Sequence, residues 1–243
     1  MDNNSIAEKI KACDDQYLGL FCSKGREWGL VVYQDRQLPE LPAHNFLRIP
    51  DHIPVGRLRG LADVARNTAK ATGRSVLRIE LSQPLKFTNA ASEHWGCYYL
   101  TDPDLIEHTP ADDLILMPVD DEEKVKRLIE FEAANGKEPE LDRRQVERLS
   151  SVYLADKGLT CWLCCRGDDI LGRGELFING DAAGLYNLKS ISGGDSDTIL
   201  TALRQQMIEQ GIKQGAEFIY AKSETDLAGF TKISDVYAVE WRF

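Results

Sequence analysis

Two short turns between three apolar runs constrain the fold of this chain more than any other feature. Gly167-Asp168-Asp169 separates the first two runs, and Asn179-Gly180-Asp181 separates the second from the third. Asn-Gly between apolar runs is a strong hairpin signal, because the tightest hairpin turns need positive φ angles. The sequence therefore predicts an antiparallel meander of three strands, at 159–166, 170–178 and 183–191.

Helices are predicted before and after this meander. Residues 120–135 begin with acidic residues and end at Gly136, and residues 139–157 end at Gly158. Residues 198–214 carry apolar side chains at helical spacing after a glycine-rich turn. Acids in the first turn and glycine after the last are typical helix boundaries.

The remaining C-terminal elements predict a mixed sheet. A buried strand at 218–221 follows the helix at 198–214, and a strand–helix–strand unit of this length is expected to be parallel. Ser223 is predicted to cap a short helical turn that ends at Ala228. A strand at 236–243 completes an α/β fold with helices on both faces of the sheet.

The first half repeats this order less clearly. A helix is predicted at 5–15, a second helix at 58–71, and strands at 28–33, 75–81 and 95–100. The connection at 101–113 contains two prolines and five acidic residues, which indicates a surface linker. We therefore predict two domains, at 1–108 and 109–243, of which the first is a partial copy of the second.

The charge balance excludes two classes of partner. The 243 residues carry a net charge of −10, whereas proteins that bind nucleic acid or anionic membranes need clustered Lys and Arg. No apolar run is long enough to cross a bilayer, and the first fifteen residues mix charges in a way that secretory signals do not. We expect a cytoplasmic protein with no nucleic-acid or membrane partner.

The cysteines raise the question of a metal site. Cys161-Trp162-Leu163-Cys164-Cys165 has the spacing of a zinc knuckle, and His94 and Cys97 could supply two more ligands. However, residues three apart on a strand point to opposite faces. We therefore expect buried, reduced thiols in a strand and no metal site.

From about Leu114 to the end, the element order resembles the GNAT superfamily, the acetyl-CoA-dependent N-acetyltransferases. Gly229-Phe230 matches a Gly-Phe pair near the end of that fold. In the first half, Asn45-Phe46 and Trp95-Gly96-Cys97-Tyr98-Tyr99-Leu100 are similar to pieces of the partial domain found in tandem GNAT proteins. The resemblance implies two GNAT-like domains, the second complete and the first partial.

The resemblance also implies an acetyl-CoA site. In the family, one strand diverges from its neighbour to hold the pantetheine arm, and a turn patterned Gln/Arg-x-x-Gly-x-Gly/Ala points N–H groups at the pyrophosphate. Here the strand is 184–191, and the turn runs from Ser192 to Asp197. The implied cofactor contacts are Leu188, Ser190, Ile191, Gly193, Gly194, Ser196, Asp197 and Thr198.

The three specified positions of the family pattern are occupied here by Ser192, Asp195 and Asp197, so the turn departs from that pattern. A carboxylate facing a phosphate about 4 Å away is repelled by about 4 kcal/mol at an effective dielectric constant of 20. An aspartate at the N-cap also occupies the N–H groups that a phosphate needs. Two interpretations of the turn remain. In one, a shifted register uses Gly193 and Gly194 to hold the pyrophosphate, and in the other the turn is a plain acidic helix cap.

The catalytic residues are less clear. Where the family has a tyrosine before the Gly-Phe pair, this chain has Thr225, which does not titrate near neutral pH. Tyr186 and Tyr220 are either substitutes for that tyrosine or sheet residues that pack with Trp162 and Phe177.

Glu175 lies in the middle strand of the meander, where some relatives place a carboxylate that acts through water. It is either that base or an exposed strand glutamate. Arg173 and Lys189 either receive an acidic group of the ligand or are solvated strand residues.

The resemblance implies transfer of an acyl group from CoA to a small-molecule or peptide amine. The alternative is an inactive binding or assembly module of the same fold, for which a homodimer is possible. Aminoacyl transfer from a charged tRNA, which tandem GNAT-like folds also perform, is opposed by the acidic balance.

Overall fold

The computed structural model describes residues 3–27, 29–50, 60–74, 76–84, 86–87, 90–91, 93–101, 113–136, 138–155 and 158–242. The helices in these ranges are α1 (Asn3–Gly19), α2 (Leu61–Thr72), α3 (Glu122–Asn135), α4 (Pro139–Tyr153) and α5 (Ser196–Lys213). The strands are β1 (Ser23–Glu27), β2 (Leu30–Gln34), β3 (Phe46–Arg48), β4 (Val76–Leu81), β5 (Lys86–Phe87), β6 (Ala90–Ala91), β7 (Glu93–Thr101), β8 (Ile115–Pro118), β9 (Leu159–Arg166), β10 (Asp169–Asn179), β11 (Ala182–Ser190), β12 (Phe218–Ser223) and β13 (Phe230–Arg242). Among the described helices, none combines the length and apolarity that crossing a membrane requires.

The chain forms two compact units, each built from separate stretches of sequence. Unit 1 comprises Met1–Tyr17, Tyr99–Lys222 and Asp226–Ile233, and unit 2 comprises Leu18–Tyr98, Ser223–Thr225 and Ser234–Phe243. The first helix is thus grouped with the C-terminal elements, unlike in the predicted division at 1–108 and 109–243. The predicted boundary itself lies outside the described residues and stays a prediction.

Unit 1 contains the predicted meander. Its strands lie in the spatial order β12-β11-β10-β9-β8. The β11–β12 pair is parallel, and the other neighbouring pairs are antiparallel. Gly167 and Gly180 both have positive φ angles, of 60° and 62°, as the two predicted turns require. The prediction of a mixed sheet is therefore confirmed.

Helices cover both faces of this sheet. On one face, α5 approaches so closely that a Cβ on Gly172 would lie 2.7 Å from the Ile199 side chain. On the other face, side chains of α3 and α4 reach β10 through the polar contacts described below. The N-cap of α3 is Asp121, whose carboxylate accepts a hydrogen bond from the Lys124 N–H at 2.8 Å, as the acidic start predicted.

Unit 2 has a related topology. Strands β1, β2 and β3 pair antiparallel, and β3 pairs parallel with β4 across α2. The last residues of β13, from Tyr237 to Arg242, pair antiparallel with β4. Each unit thus has an antiparallel meander that leads into a parallel pair joined by a helix. This similarity confirms the prediction that the first half repeats the order of the second.

Candidate functional site

Glu175 is the centre of a buried polar cluster in unit 1. Its side chain is fully buried, and Oε2 accepts a hydrogen bond from the Tyr17 hydroxyl at 2.8 Å. Oε1 accepts from the Tyr153 hydroxyl at 2.7 Å and from Arg173 at 2.6 Å. The exposed-strand interpretation of Glu175 is therefore wrong.

The cluster continues as an alternating chain of charges. The buried Arg173 also contacts Glu132 of α3, and the second carboxylate oxygen of Glu132 contacts Lys189 of β11. Lys189 also lies 3.9 Å from Asp142 of α4, so three acids pair with two bases. Arg173 is only 5% exposed, so the solvated interpretation is wrong for it, whereas Lys189 remains a quarter exposed at its side chain. A buried charge persists only when it is paired in this way.

The tyrosines in this cluster are poor acids. Burial, and next the negative charge of Glu175, raise the pKa of Tyr17 and of Tyr153 well above the ordinary tyrosine value. Both hydroxyls therefore remain protonated donors to the carboxylate near neutral pH. With three donors on its two oxygens, Glu175 orients its neighbours and is not placed to take a proton directly from solvent.

Strands β11 and β12 diverge beside this cluster. Their parallel pairing joins Ala182 with Phe218 at one end and Leu185 with Ala221 at the other, although β11 continues to Ser190. Asn187, just beyond the last pair, has a φ angle of 48°, and the register between β10 and β11 shifts there. Divergence of parallel strands exposes backbone groups that an extended ligand can bind.

Tyr186 and Tyr220 lie where the divergence begins. Their hydroxyl oxygens are 2.5 Å apart, and the Tyr186 ring stacks on Tyr17 with centroids 3.6 Å apart. Burial is the main cause that raises the pKa of each well above the ordinary value. Trp162 instead belongs to the core under α5, so the predicted packing against Trp162 is replaced by contacts with α1. Each hydroxyl can donate a hydrogen bond without ionising.

Thr225 does not join these residues. It lies in an exposed turn of unit 2, where its N–H donates to Ser223 Oγ at 3.1 Å and its carbonyl accepts from the same hydroxyl at 2.7 Å. The predicted short helix from Ser223 to Ala228 is therefore wrong, because the serine closes a local turn instead.

The loop before α5 encloses a small cavity of about 210 Å³. Four of the predicted cofactor contacts, Ile191, Gly193, Gly194 and Ser196, line it. A Cβ on either glycine would meet nothing within 4 Å, so the backbone there is open to a ligand.

Asp195 does not cap α5 with its side chain. Its carboxylate instead forms an ion pair with Arg166 at 3.1 Å, and Arg166 also pairs with Asp113 at 2.5 Å. The expectation that this aspartate occupies the helix N–H groups is therefore wrong. These hydrogen bonds raise the pKa of Arg166, whose single positive charge is shared between the two carboxylates.

The other predicted cofactor contacts surround this loop. Ser190 Oγ lies 2.5 Å from Ser196 Oγ, and Leu188 packs against the core under α5. Asp197 and Thr198 are in the first turn of α5, exposed and half-buried respectively. The N–H groups of a first helical turn have no acceptor within the helix.

One signal was missed in the first half. The sequence from Arg57 to Ala62 reads Arg-Leu-Arg-Gly-Leu-Ala, which satisfies the Gln/Arg-x-x-Gly-x-Gly/Ala pattern that the Ser192 turn breaks. Gly60 is the N-cap of α2, the helix that joins the parallel strands of unit 2. The position corresponds to that of the loop before α5. Residues 51–59 lie outside the described ranges, so this remains an observation on the sequence.

The cysteines of β9 behave as strand residues. Cys164 belongs to the core under α5, whereas Cys161 lies on the opposite face, where burial raises its pKa. Burial also raises the pKa of Cys164, to about 11. The prediction that these two thiols point to opposite faces is confirmed.

No protein-family model and no curated protein sequence matches this chain. A functionally unknown conserved protein from Staphylococcus epidermidis has a TM-score of 0.69 at 10% identity, over 91% of this chain and 94% of that one. A GCN5-related N-acetyltransferase from Kribbella flavida has a TM-score of 0.65 at 13% identity, over 97% and 95% of the two chains. A tandem GNAT protein from the clavulanic acid biosynthesis pathway has a TM-score of 0.55 at 12% identity, over 88% and 78%. The chain therefore has the GNAT fold in a tandem arrangement.

Proposed function

We propose that the chain is an N-acyltransferase that binds acyl-CoA in unit 1 and acylates a small-molecule or peptide amine. The observation that carries the proposal is the divergence of β11 and β12 after Leu185 and Ala221, followed by an open loop at the start of α5. A strand with unpaired backbone groups and a helix N-terminus suit a pantetheine arm and a pyrophosphate.

The residues of the loop fit an anionic group better than the sequence alone predicted. Gly193 and Gly194 leave the backbone open, and Arg166 brings a cation to the same cavity. Asp195 is turned toward Arg166 rather than toward the helix N–H groups. Bound acyl-CoA would supply a thioester. Its acyl group would pass to the amine nitrogen as the carbon–sulfur bond breaks, the amine would lose a proton, and the departing CoA thiolate would gain one.

Side chains near the point where the pairing of β11 with β12 ends would assist acyl transfer by positioning their neighbours. The Tyr186 hydroxyl already donates to Asp14 Oδ1 at 3.2 Å and lies 2.5 Å from the Tyr220 hydroxyl, so it would position these neighbouring side chains. Glu175 would act as a positioning residue, since it holds Tyr17 against the Tyr186 ring.

A second candidate function is binding of acyl-CoA without transfer. The full burial of Glu175 and its three donors favour this candidate, because the carboxylate is poorly placed to accept the amine proton. Release of free CoA thiol in the presence of a panel of amines separates the candidates. A transferase releases the thiol only when a suitable amine is present, whereas a protein that only binds acyl-CoA releases none.

Calorimetric titration with acetyl-CoA tests the shared claim that the ligand binds in unit 1. Gly194→Glu places a charge in the cavity and should abolish binding, whereas Ser151→Glu, an equal charge on the exposed face of α4, should not. Arg57→Ala should leave affinity unchanged. An absence of binding by the natural chain would overturn the proposal. Loss of binding in Arg57→Ala but not in Gly194→Glu would also overturn it, because the ligand would then belong to unit 2.

A further inference from the structure

Three side chains of different chemistry converge in unit 2. His94 Nε2 lies 3.2 Å from Cys97 Sγ and 3.0 Å from Asp235 Oδ1, and Cys97 Sγ lies 3.2 Å from the same Oδ1. Residues three apart on a regular strand point to opposite faces, yet His94 and Cys97 meet on β7. The strand therefore departs from regular alternation in a way that brings the two together.

The three contacts outnumber the protons that can serve them. Nε2 carries at most one proton, the thiol carries one, and an ionised carboxylate carries none. At most two protons therefore serve three close approaches. A cation between the three atoms would satisfy all three at once.

The dimensions suit a late transition metal. Zinc binds thiolate sulfur at about 2.3 Å and imidazole nitrogen or carboxylate oxygen at about 2.0–2.2 Å. A tetrahedral site with those bond lengths puts its ligand atoms roughly 3.3–3.6 Å apart. The observed separations of 3.0–3.2 Å need to widen by only a few tenths of an ångström.

The donor set and its exposure narrow the choice of metal. Sulfur with nitrogen and one oxygen selects Zn²⁺ or a similar ion over Mg²⁺ or Ca²⁺, which prefer oxygen alone. Cys97 is buried, whereas the side chains of His94 and Asp235 are 44% and 31% exposed. The ring of Tyr237 meets the imidazole edge-on, with centroids 5.7 Å apart. Two of the three ligand side chains are therefore accessible to solvent.

We propose that His94, Cys97 and Asp235 form a Zn²⁺ site with three protein ligands and one open position. Binding deprotonates the Cys97 thiol and releases that proton to solvent. The proposal is independent of the acyl-CoA proposal, because all three ligands belong to unit 2.

Titration of the reduced, chelator-treated protein with Co²⁺ tests the site, since thiolate ligation gives a near-ultraviolet charge-transfer band. We expect the band to saturate at one equivalent and to be displaced by Zn²⁺. Cys97→Ser should remove it, whereas Cys22→Ser, the loss of another buried thiol of unit 2, should leave it unchanged. Asp235→Asn keeps the thiol and should weaken metal binding at least roughly 10-fold. Loss of a residue that only supports a ligand already costs about that much, so loss of a direct ligand should cost no less.

Three outcomes overturn the proposal. They are the absence of a band in the natural chain, a band that persists in Cys97→Ser, and unchanged affinity in Asp235→Asn. If Cys97→Ser does not fold, His94→Gln replaces it, because the His94 side chain is 44% exposed whereas Cys97 is buried. The proposal then requires that His94→Gln bind the metal at least roughly 10-fold more weakly than the natural chain.

Discussion

Replacement of Asp195 by asparagine should strengthen the binding of acetyl-CoA. The carboxylate borders the loop cavity and is 62% exposed, so water screens it strongly. At the dielectric constant of water, it repels a phosphate charge about 4 Å away by about 1 kcal/mol. Asp195→Asn removes that repulsion and frees Arg166 from the 3.1 Å ion pair. We expect an affinity increase of about fivefold, since about 1.4 kcal/mol corresponds to tenfold.

Isothermal titration calorimetry at low salt measures this change. Pantetheine lacks the pyrophosphate and should bind Asp195→Asn and the natural chain equally well. Glu147→Gln is the matched control, because it removes a carboxylate from an exposed ion pair with Arg143 on α4. Unchanged or weaker binding of acetyl-CoA by Asp195→Asn would refute the argument, as would an equal gain in Glu147→Gln.

The remaining predictions concern stability, measured by urea unfolding. Arg173→Met strands buried carboxylates and should lower the free energy of unfolding by roughly 3–5 kcal/mol, whereas Arg143→Met on the surface should have no measurable effect. Gly172→Ala puts a methyl group 2.7 Å from a carbonyl oxygen of the next strand and should cost roughly 1–3 kcal/mol, whereas Gly25→Ala, with open space around it, should be tolerated. The two tyrosines bound to Glu175 have pKa values raised above 10.0, so they stay protonated when the unfolded chain ionises. The buried thiols of Cys161 and Cys164, whose pKa is likewise raised from 9.0, act in the same direction. Stability should therefore fall as the pH rises above about 9, and a free energy of unfolding that rises over that range contradicts the proposed burial.

The elements defined by local signals could be predicted from the sequence. The strand 159–166 coincides with β9, because Gly158 and Gly167 bound it on both sides. The meander and the helix after it also lie within two residues of the predicted ranges. In contrast, β1 is short and fully exposed, and β3 has only three residues, so neither has a periodic pattern that indicates a strand.

The polar contacts of the site could not be predicted, because their partners are distant in sequence. Tyr17 is 158 residues from Glu175, and the alternation of Arg173 and Glu175 resembles the solvent face of a strand. Likewise, Asp195 turns away from its helix because Arg166, 29 residues earlier, is within reach. Local propensity favours a capping aspartate, and tertiary contact overrides it.

The division of the chain into interleaved units has a consequence for its biosynthesis. Helix α1 is grouped with the strands β8 to β12, of which the first begins only at Ile115. In unit 2, β4 lacks one of its two neighbouring strands until Tyr237–Arg242 has been synthesised. Neither unit can therefore complete its native fold before Asp226–Ile233 and Ser234–Phe243 have been synthesised, and until then their unpaired strand edges need protection from aggregation.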